Sequence, residues 1–323
     1  MITRRAALAG LAALPIADAS AQQPTFPSKP LSLIVPFPPG GPADIFGRFL
    51  AEGMAEDLGK PVVVENKSGV AGVAGMDVVA KAATDAHVMG LMSASAGAIM
   101  PTLMPNMPYD AAHDLAPIIL VTRVQEVLVV EAKLGIADAK ALVARLKAEP
   151  GKYSYGSAGA GGITHLAMEL FKRETGTDVV HVPYRGAAPA TNDLLAGLVQ
   201  MAILDVPVLL PHIRSGALEP IAVTSDIAAP LLPDVPTMRE LGYPKVNSDN
   251  WYGLASPGGA PDADRKRLHD AATKALESKK LSEAYAAVGG IVAGGSSQDF
   301  AHFQHQEIEK WASVIKLADV KME

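Results

Sequence analysis

The chain has no cysteine, which excludes disulfides, a thiol-linked lipid anchor and every cysteine-based metal site. Aromatic residues make up only 5% of the 323 positions, too few for a platform on which bases stack. Basic residues number 28 against 34 acidic ones, for a formal charge of -6, and they form no run dense enough to track a nucleic-acid backbone. Beyond the N-terminus no segment reaches the roughly 18 consecutive apolar residues of a membrane span. These absences argue against nucleic-acid binding and against membrane insertion. What is present is 49% hydrophobic content in a chain long enough for two domains.

Residues 1–21 stand apart from the fold. Arg4 and Arg5 make a charged n-region, Ala6 to Ala17 an apolar stretch too short to cross a bilayer, and Ala19-Ser20-Ala21 an A-x-A cleavage site. The expected product is a soluble periplasmic protein, cut after Ala21. Thr3-Arg4-Arg5 suits twin-arginine export, although paired arginines also occur in ordinary Sec signals.

The mature chain is organised around LSLIVPFPPGGPAD (Leu31 to Asp44). Leu31 to Val35 is almost wholly apolar, as a buried parallel strand requires, and Ile45, Phe49 with Phe46, Leu50, Met54 and Leu58 then recur at helical spacing until Gly59. The unit reads as strand, Gly/Pro loop, helix. Gly40 and Gly41 leave the backbone bare, so amides at the helix start can approach a ligand. Those amides lack partners inside the helix and carry partial positive charge, which suits an anion such as a carboxylate. An ordinary βα turn has the same sequence signature.

The cadence continues with a second buried strand at Pro61 to Glu65 and a third at Val88 to Met92, the latter ending in the small loop Ser93-Ala94-Ser95-Ala96-Gly97. Leu115 to Val121 and Val127 to Glu131 read as two strands, the last of one lobe and the entry to another. The opening theme then returns. Tyr153 to Ser157 is a strand, Ala158 to Gly162 a glycine loop, Thr164 an N-cap, and Leu166, Leu170 and Phe171 a helical stripe stopped by Gly176. Further strands fall at Val179 to Tyr184, Met201 to Val206 and Pro220 to Thr224. Leu232 to Pro236, Gly242 to Asn247 and Trp251 to Ser256 form a turn-rich return segment, and amphipathic helices at Ala263 to Lys279 and Ser297 to Lys316 close the chain. Two Gly loops, one per lobe, can close over one ligand.

Enzyme signatures fail on inspection. A nucleophile elbow around Ser157 lacks its first glycine, because Tyr155 stands there, and no acid links Ser157 to His165. A dinucleotide fingerprint would end on glycine where Thr164 stands, and no Gly-Lys-Ser/Thr follows any glycine run. His302, His305 and Glu309 read as a solvated helix face rather than a metal cage. His165, in the first turn after the second loop, either faces the ligand or orders the loop. Asp205 ends an apolar strand, where a buried carboxylate needs a partner, a ligand's donor or a capping role. No nucleophile, base and oxyanion group assemble, so binding without turnover is the simpler reading, with no cofactor. Four or five hydrogen bonds to a charged group, about 1.5–3 kcal/mol each before the costs of ordering, suffice for micromolar affinity.

The sequence resembles the substrate-binding proteins of tripartite tricarboxylate transporters, the Bug-type periplasmic receptors. The likeness is carried by LIVPFPPGGPAD (Leu33 to Asp44), VVVEN (Val62 to Asn66), YGSAGAGGITH (Tyr155 to His165), HVPYRG (His181 to Gly186), AVTS (Ala222 to Ser225), LPDVPT (Leu232 to Thr237) and WYGLASP (Trp251 to Pro257), in that order. The resemblance implies an α/β, two-lobed, type II periplasmic-binding fold of the Venus-flytrap kind, with the ligand in the interlobe cleft. Lobe 1 would comprise residues 22–124 and 225–323, and lobe 2 residues 125–224. It places the ligand carboxylate on Phe37, Gly40, Gly41, Ala43 and Asp44 of the first loop and on Ser157, Ala158, Gly159, Thr164 and His165 of the second. Ser93, Ser95 and Asp205 would complete the pocket. It further implies a monomer that hands a small organic carboxylate to the transporter's membrane subunits; the alternative is a sensor feeding a two-component kinase. Three departures from the family pattern favour a mono- or dicarboxylate with an apolar or aromatic body. Pro42-Ala43 removes a hydroxyl from the first loop, Val206 follows Asp205, and Ser93 to Met104 is unusually apolar.

Overall fold

The computed structural model describes residues 26–318 and 320; the expected signal segment lies outside the described residues. In chain order the elements are β1 (Leu31–Val35), α1 (Pro42–Leu58), β2 (Val62–Asn66), α2 (Val73–Ala80), β3 (Val88–Ser93), α3 (Met100–Leu103) and β4 (Leu115–Glu131). There follow α4 (Ala139–Ala148), β5 (Ser154–Ser157), α5 (Ile163–Thr175), β6 (Val180–Pro183), α6 (Ala187–Leu195), β7 (Met201–Asp205), α7 (Val206–Arg214) and β8 (Leu218–Val223). The chain closes with β9 (Asp249–Pro257), α8 (Asp262–Glu277), α9 (Lys279–Ala287), β10 (Gly290–Gly294) and α10 (Ser297–Ala318).

The strands run β2-β1-β3-β9-β4-β7-β5-β6, with β8 and β10 also paired to β4. β1 lies parallel to β2 and β3, and β5 parallel to β6 and β7, so two small parallel sheets meet through antiparallel β4 and β9. Each sheet is covered on both faces, as parallel sheets require. In the first lobe, Phe46, Leu50, Leu268 and Tyr285 pack one face and Met76, Ile99, Trp251 and Phe300 the other. In the second, Leu142, Leu146 and Phe171 oppose Leu194, Leu204 and Leu209.

β4 corrects the two-strand reading of Leu115 to Glu131. It is one continuous strand of 17 residues, because every position except Arg123 finds cover even though Arg123 and Gln125 interrupt the apolar pattern. Its partners change within one residue: Gln125 stands opposite Asp249, and Glu126 opposite Asp205. Two further segments cross between the lobes beside this point. The Thr224 amide donates to the Glu126 carbonyl at 3.0 Å, and the Ser248 amide to the Thr224 carbonyl at 3.2 Å.

Other elements also depart from expectation. β2 is an edge strand and only half buried, with Val63 49% exposed. The segment from Ser93 is helical rather than an open loop, a π-turn over Ser95–Ile99 running into α3. Its small residues permit this: a Cβ on Gly97 would lie 2.5 Å from Met92 Sδ and 2.9 Å from the Trp251 ring, and Gln304 Nε2 donates to the Gly97 carbonyl at 2.9 Å. The return segment is the central strand β9, and α9 and β10 occupy a stretch for which the sequence suggested no element.

Phe46 ties the first helix to this frame. It is fully buried, its ring sits 4.8 Å from Tyr285, and its carbonyl accepts the Tyr285 hydroxyl at 2.9 Å. Phe46→Ala should therefore lower the unfolding free energy by about 3–5 kcal/mol in urea titrations. A loss under about 1 kcal/mol would show that α1 is not anchored this way.

Candidate cleft between two helix starts

The loop after β1 is braced from behind. Asp44 Oδ2 accepts the Gly40 amide and Arg48 Nε, both at 3.0 Å, while its Oδ1 accepts Asn66 Nδ2 at 2.9 Å. Asn66 Nδ2 also reaches the Phe37 carbonyl at 2.9 Å. Burial works against the Asp44 charge, but the bonds from Arg48, Gly40 and Asn66 outweigh it and hold the carboxyl below its ordinary range. This carboxylate is committed to shaping the loop. It fixes Gly41 as the N-cap of α1, with Pro42 at the first helical position, where a missing N–H costs nothing.

The loop after β5 is built on the same plan with different braces. Gly162 is the N-cap of α5, correcting the expectation that Thr164 fills that place. Thr164 is the second residue of the helix, and its hydroxyl accepts the Ala158 amide at 2.8 Å, closing the loop on itself. His165 Nδ1 accepts the Gly161 amide at 3.0 Å, so this imidazole orders the loop. Its ring stacks on His181 with centroids 4.0 Å apart, and His181 Nε2 lies 2.7 Å from Ser157 Oγ. Burial, and then the neighbouring His165, depress the His181 pKa to about 4.

The two lobes meet across the cleft. Ser95 Oγ, from the π-turn after β3, accepts the Ile163 amide at the start of α5 at 3.0 Å. A Cβ on Gly159 would lie 3.3 Å from the Ala71 backbone, and one on Gly186 2.6 Å from Pro38. Between these contacts is a slot lined by Phe37, Pro38, Gly41, Ser95, Ala158, Gly162, Thr164, Asp205, Asn250 and Tyr252, among others. It has about 20 Å³ of free volume, roughly room for one water molecule. A ligand of several carbons therefore enters only when the lobes separate. A larger groove of about 680 Å³ lies on the outer surface beside Arg265 and Lys266, but those cations already pair with Asp262 and Asp270.

Of the residues expected from the sequence, Phe37, Gly41, Ser95, Ala158, Thr164 and Asp205 line the slot together. Gly159 lines the adjoining mouth with Phe37 and Arg185. Gly40, Ala43, Asp44, Ser93, Ser157 and His165 do not line the slot: Ala43 and Ser157 are buried, Asp44 and His165 brace loops, and Ser93 Oγ accepts the Ala96 amide at 3.3 Å. Pro38, Pro42, Gly162 and Ile163, within the two expected loop stretches, also join the lining, and Ala187, Asn250 and Tyr252 join it without having been expected. Asn250 and Tyr252 were signalled only by polar groups two apart, sharing one face of an apolar strand.

A parallel-strand α/β molecule whose ligand slot lies between two lobes, at strand ends and helix starts, is a periplasmic-type solute receptor. Residues 46–320 match the tripartite tricarboxylate transporter family receptor, and the chain belongs to that family. It is 39% identical to the BugT protein of Bordetella pertussis over 317 residues, covering 98% of this chain and 95% of that one. The solved periplasmic binding protein BugD superposes with a TM-score of 0.89 at 32% identity, covering 92% of this chain and all of that one. A receptor from R. palustris solved with adipate also gives 0.89, at 31% identity, covering 92% and 99%.

Two outcomes follow from this geometry. Gly159→Val should keep the lobes apart and weaken any ligand by about tenfold or more while leaving the far-UV circular dichroism unchanged; unaltered affinity would refute the contact with Ala71. His181 binds a proton less readily folded than unfolded, so its contribution to stability is present above about pH 6.5 and lost as pH falls toward about 4. The stability difference between wild type and His181→Asn, followed by urea titration, should shrink across that window, and a flat difference would contradict the depressed pKa.

Proposed function

We propose that this receptor captures a small organic carboxylate between its lobes and delivers it, without chemical change, to the membrane subunits of a tripartite transporter. The lobes in this reading are residues 22–124 with 225–323, and residues 125–224. The observation that carries it is the convergence of two helix starts from opposite lobes on one slot that holds no Lys, Arg or His. Helix N-termini bind a carboxylate through amides and dipole alone, and a ligand bridging both lobes biases them toward closure. Adipate in the R. palustris relative supports the ligand class. Against catalysis, Ser157, the hydroxyl at the end of β5 that sits against an imidazole, is fully buried and does not line the slot.

A thermal-shift panel of adipate, succinate, malate and aromatic monocarboxylates tests the reading. A true ligand at a hundred times its Kd should stabilise the fold by about 2.7 kcal/mol, while amines of matched size give no shift. A panel in which amines stabilise and carboxylates do not would overturn it.

A further inference from the structure

The floor of the cleft is acidic, and among the described residues no cation contacts its central pair. Asp205 lines the slot, and Asn250 Nδ2 donates to both its oxygens, at 3.1 and 2.9 Å, while the Tyr252 hydroxyl donates to Oδ2 at 2.9 Å. Glu126 stands directly opposite Asp205 in the antiparallel register of β4 and β7. That places their Cβ atoms about 5 Å apart on one face of the sheet. Glu126 is fully buried; its Oε2 accepts the Ser248 hydroxyl, and its Oε1 has no partner among the described residues. The charged and titratable groups around the pair come from β4, β9 and α10. Asp249, at the start of β9, adds negative charge to both acids, and Tyr252 faces Asp205 from the same strand. Lys310 of α10 acts on Glu126 and Asp249 from a distance. Arg123 pairs with Asp249 at 3.3 Å on a half-exposed side chain, with Glu307 also near Asp249.

A ligand carboxylate held by the starts of α1 and α5 shares this slot with Asp205. Two like charges in a small, water-poor space repel strongly unless one is neutralised. Resting on the carboxylate reading above, we propose that the receptor binds its ligand together with one proton. Asp205 is the neutral acid in the complex, keeps its other oxygen on Asn250 and Tyr252, and donates its O–H to a ligand oxygen. The proton comes from solvent, and no bond other than O–H is made or broken. Burial, with Asp249 adding to it, pushes Asp205 up to about 7 despite the opposing bonds from Tyr252 and Asn250. Burial and the adjacent Asp205 push Glu126 in the same direction, well above the usual range, but Glu126 does not line the slot and so has no ligand oxygen to meet. Asp205 thereby acts as a specificity residue, favouring a ligand acceptor over an ammonium group at this point.

Isothermal titration of the full mature protein with adipate, in pairs of buffers of different ionisation heat such as phosphate and Tris at about pH 8, reads the proton directly, because the heat depends on the buffer only when protons are exchanged and its sign separates uptake from release. At about pH 8 the expected uptake is close to one proton per adipate, falling toward zero at about pH 5.5, with Kd weakening about tenfold per pH unit above the Asp205 pKa. Asp205→Asn supplies a neutral donor permanently, so it should bind adipate within about threefold of wild type at pH 6 and show no buffer dependence. Should that variant fail to fold, the wild-type proton count decides alone. Buffer-independent binding at pH 8, or loss of more than about tenfold in Asp205→Asn at pH 6, overturns the proposal and leaves the receptor reading intact. No heat with adipate, succinate or malate removes both.

Discussion

Everything about the cleft depends on where β4 changes partners. Between Gln125 and Glu126 a continuous strand leaves β9 and takes up β7, and that one-residue switch sets the two parallel sheets side by side with their carboxyl ends facing. Loops at those ends then have no choice but to confront each other. The crossing is polar as well as continuous. Gln125 Nε2 donates to Ser225 Oγ and the Ile227 carbonyl, and Thr224 Oγ1 to the Glu126 and Ser248 carbonyls, so all three crossing segments are joined by hydrogen bonds rather than by apolar packing. Such bonds hold the segments in register while the lobes on either side move.

The electrostatics of the slot follow from that placement. Two helix starts point partial positive charge inward, and three acids lie behind them. A site of this composition attracts an anion over a short range only, because the helix dipole decays within a turn and the acids repel from the floor. In the proposed complex, affinity then comes from directed amide bonds and closure, so that both the ligand's carboxylate and its shape count. Apolar lining from Phe37, Pro38, Pro42 and Ile163 agrees with a ligand whose body is hydrocarbon.

Much of this was readable in the residues. The run Leu31 to Val35, the helical stripe to Gly59 and the parallel stripe to Gly176 fixed β1, α1 and α5 because apolar period and left-handed caps are local properties. Misreadings came where tertiary contacts override local pattern. Arg123 and Gln125 look like a break until β9 and Ser225 supply partners. Ser93 to Gly97 looks like a loop until Trp251 and Gln304 pack on it. His165 and Asp44 are placed beside the cleft by sequence position, yet each is claimed by a backbone amide of its own loop. Asn250 and Tyr252 lie about 200 residues beyond the first loop, and nothing in local sequence says that β9 returns to the cleft floor.

The central claim is that one carboxylate is shared by the starts of α1 and α5, and a crystal structure of the adipate complex tests it most directly. The expected result is a ligand carboxylate within about 3.2 Å of main-chain or hydroxyl groups from both loops, contributed around Gly41 to Asp44 and Ala158 to Thr164. Adipate bound to one lobe alone, or seated in the outer groove beside Arg265 and Lys266, would contradict it.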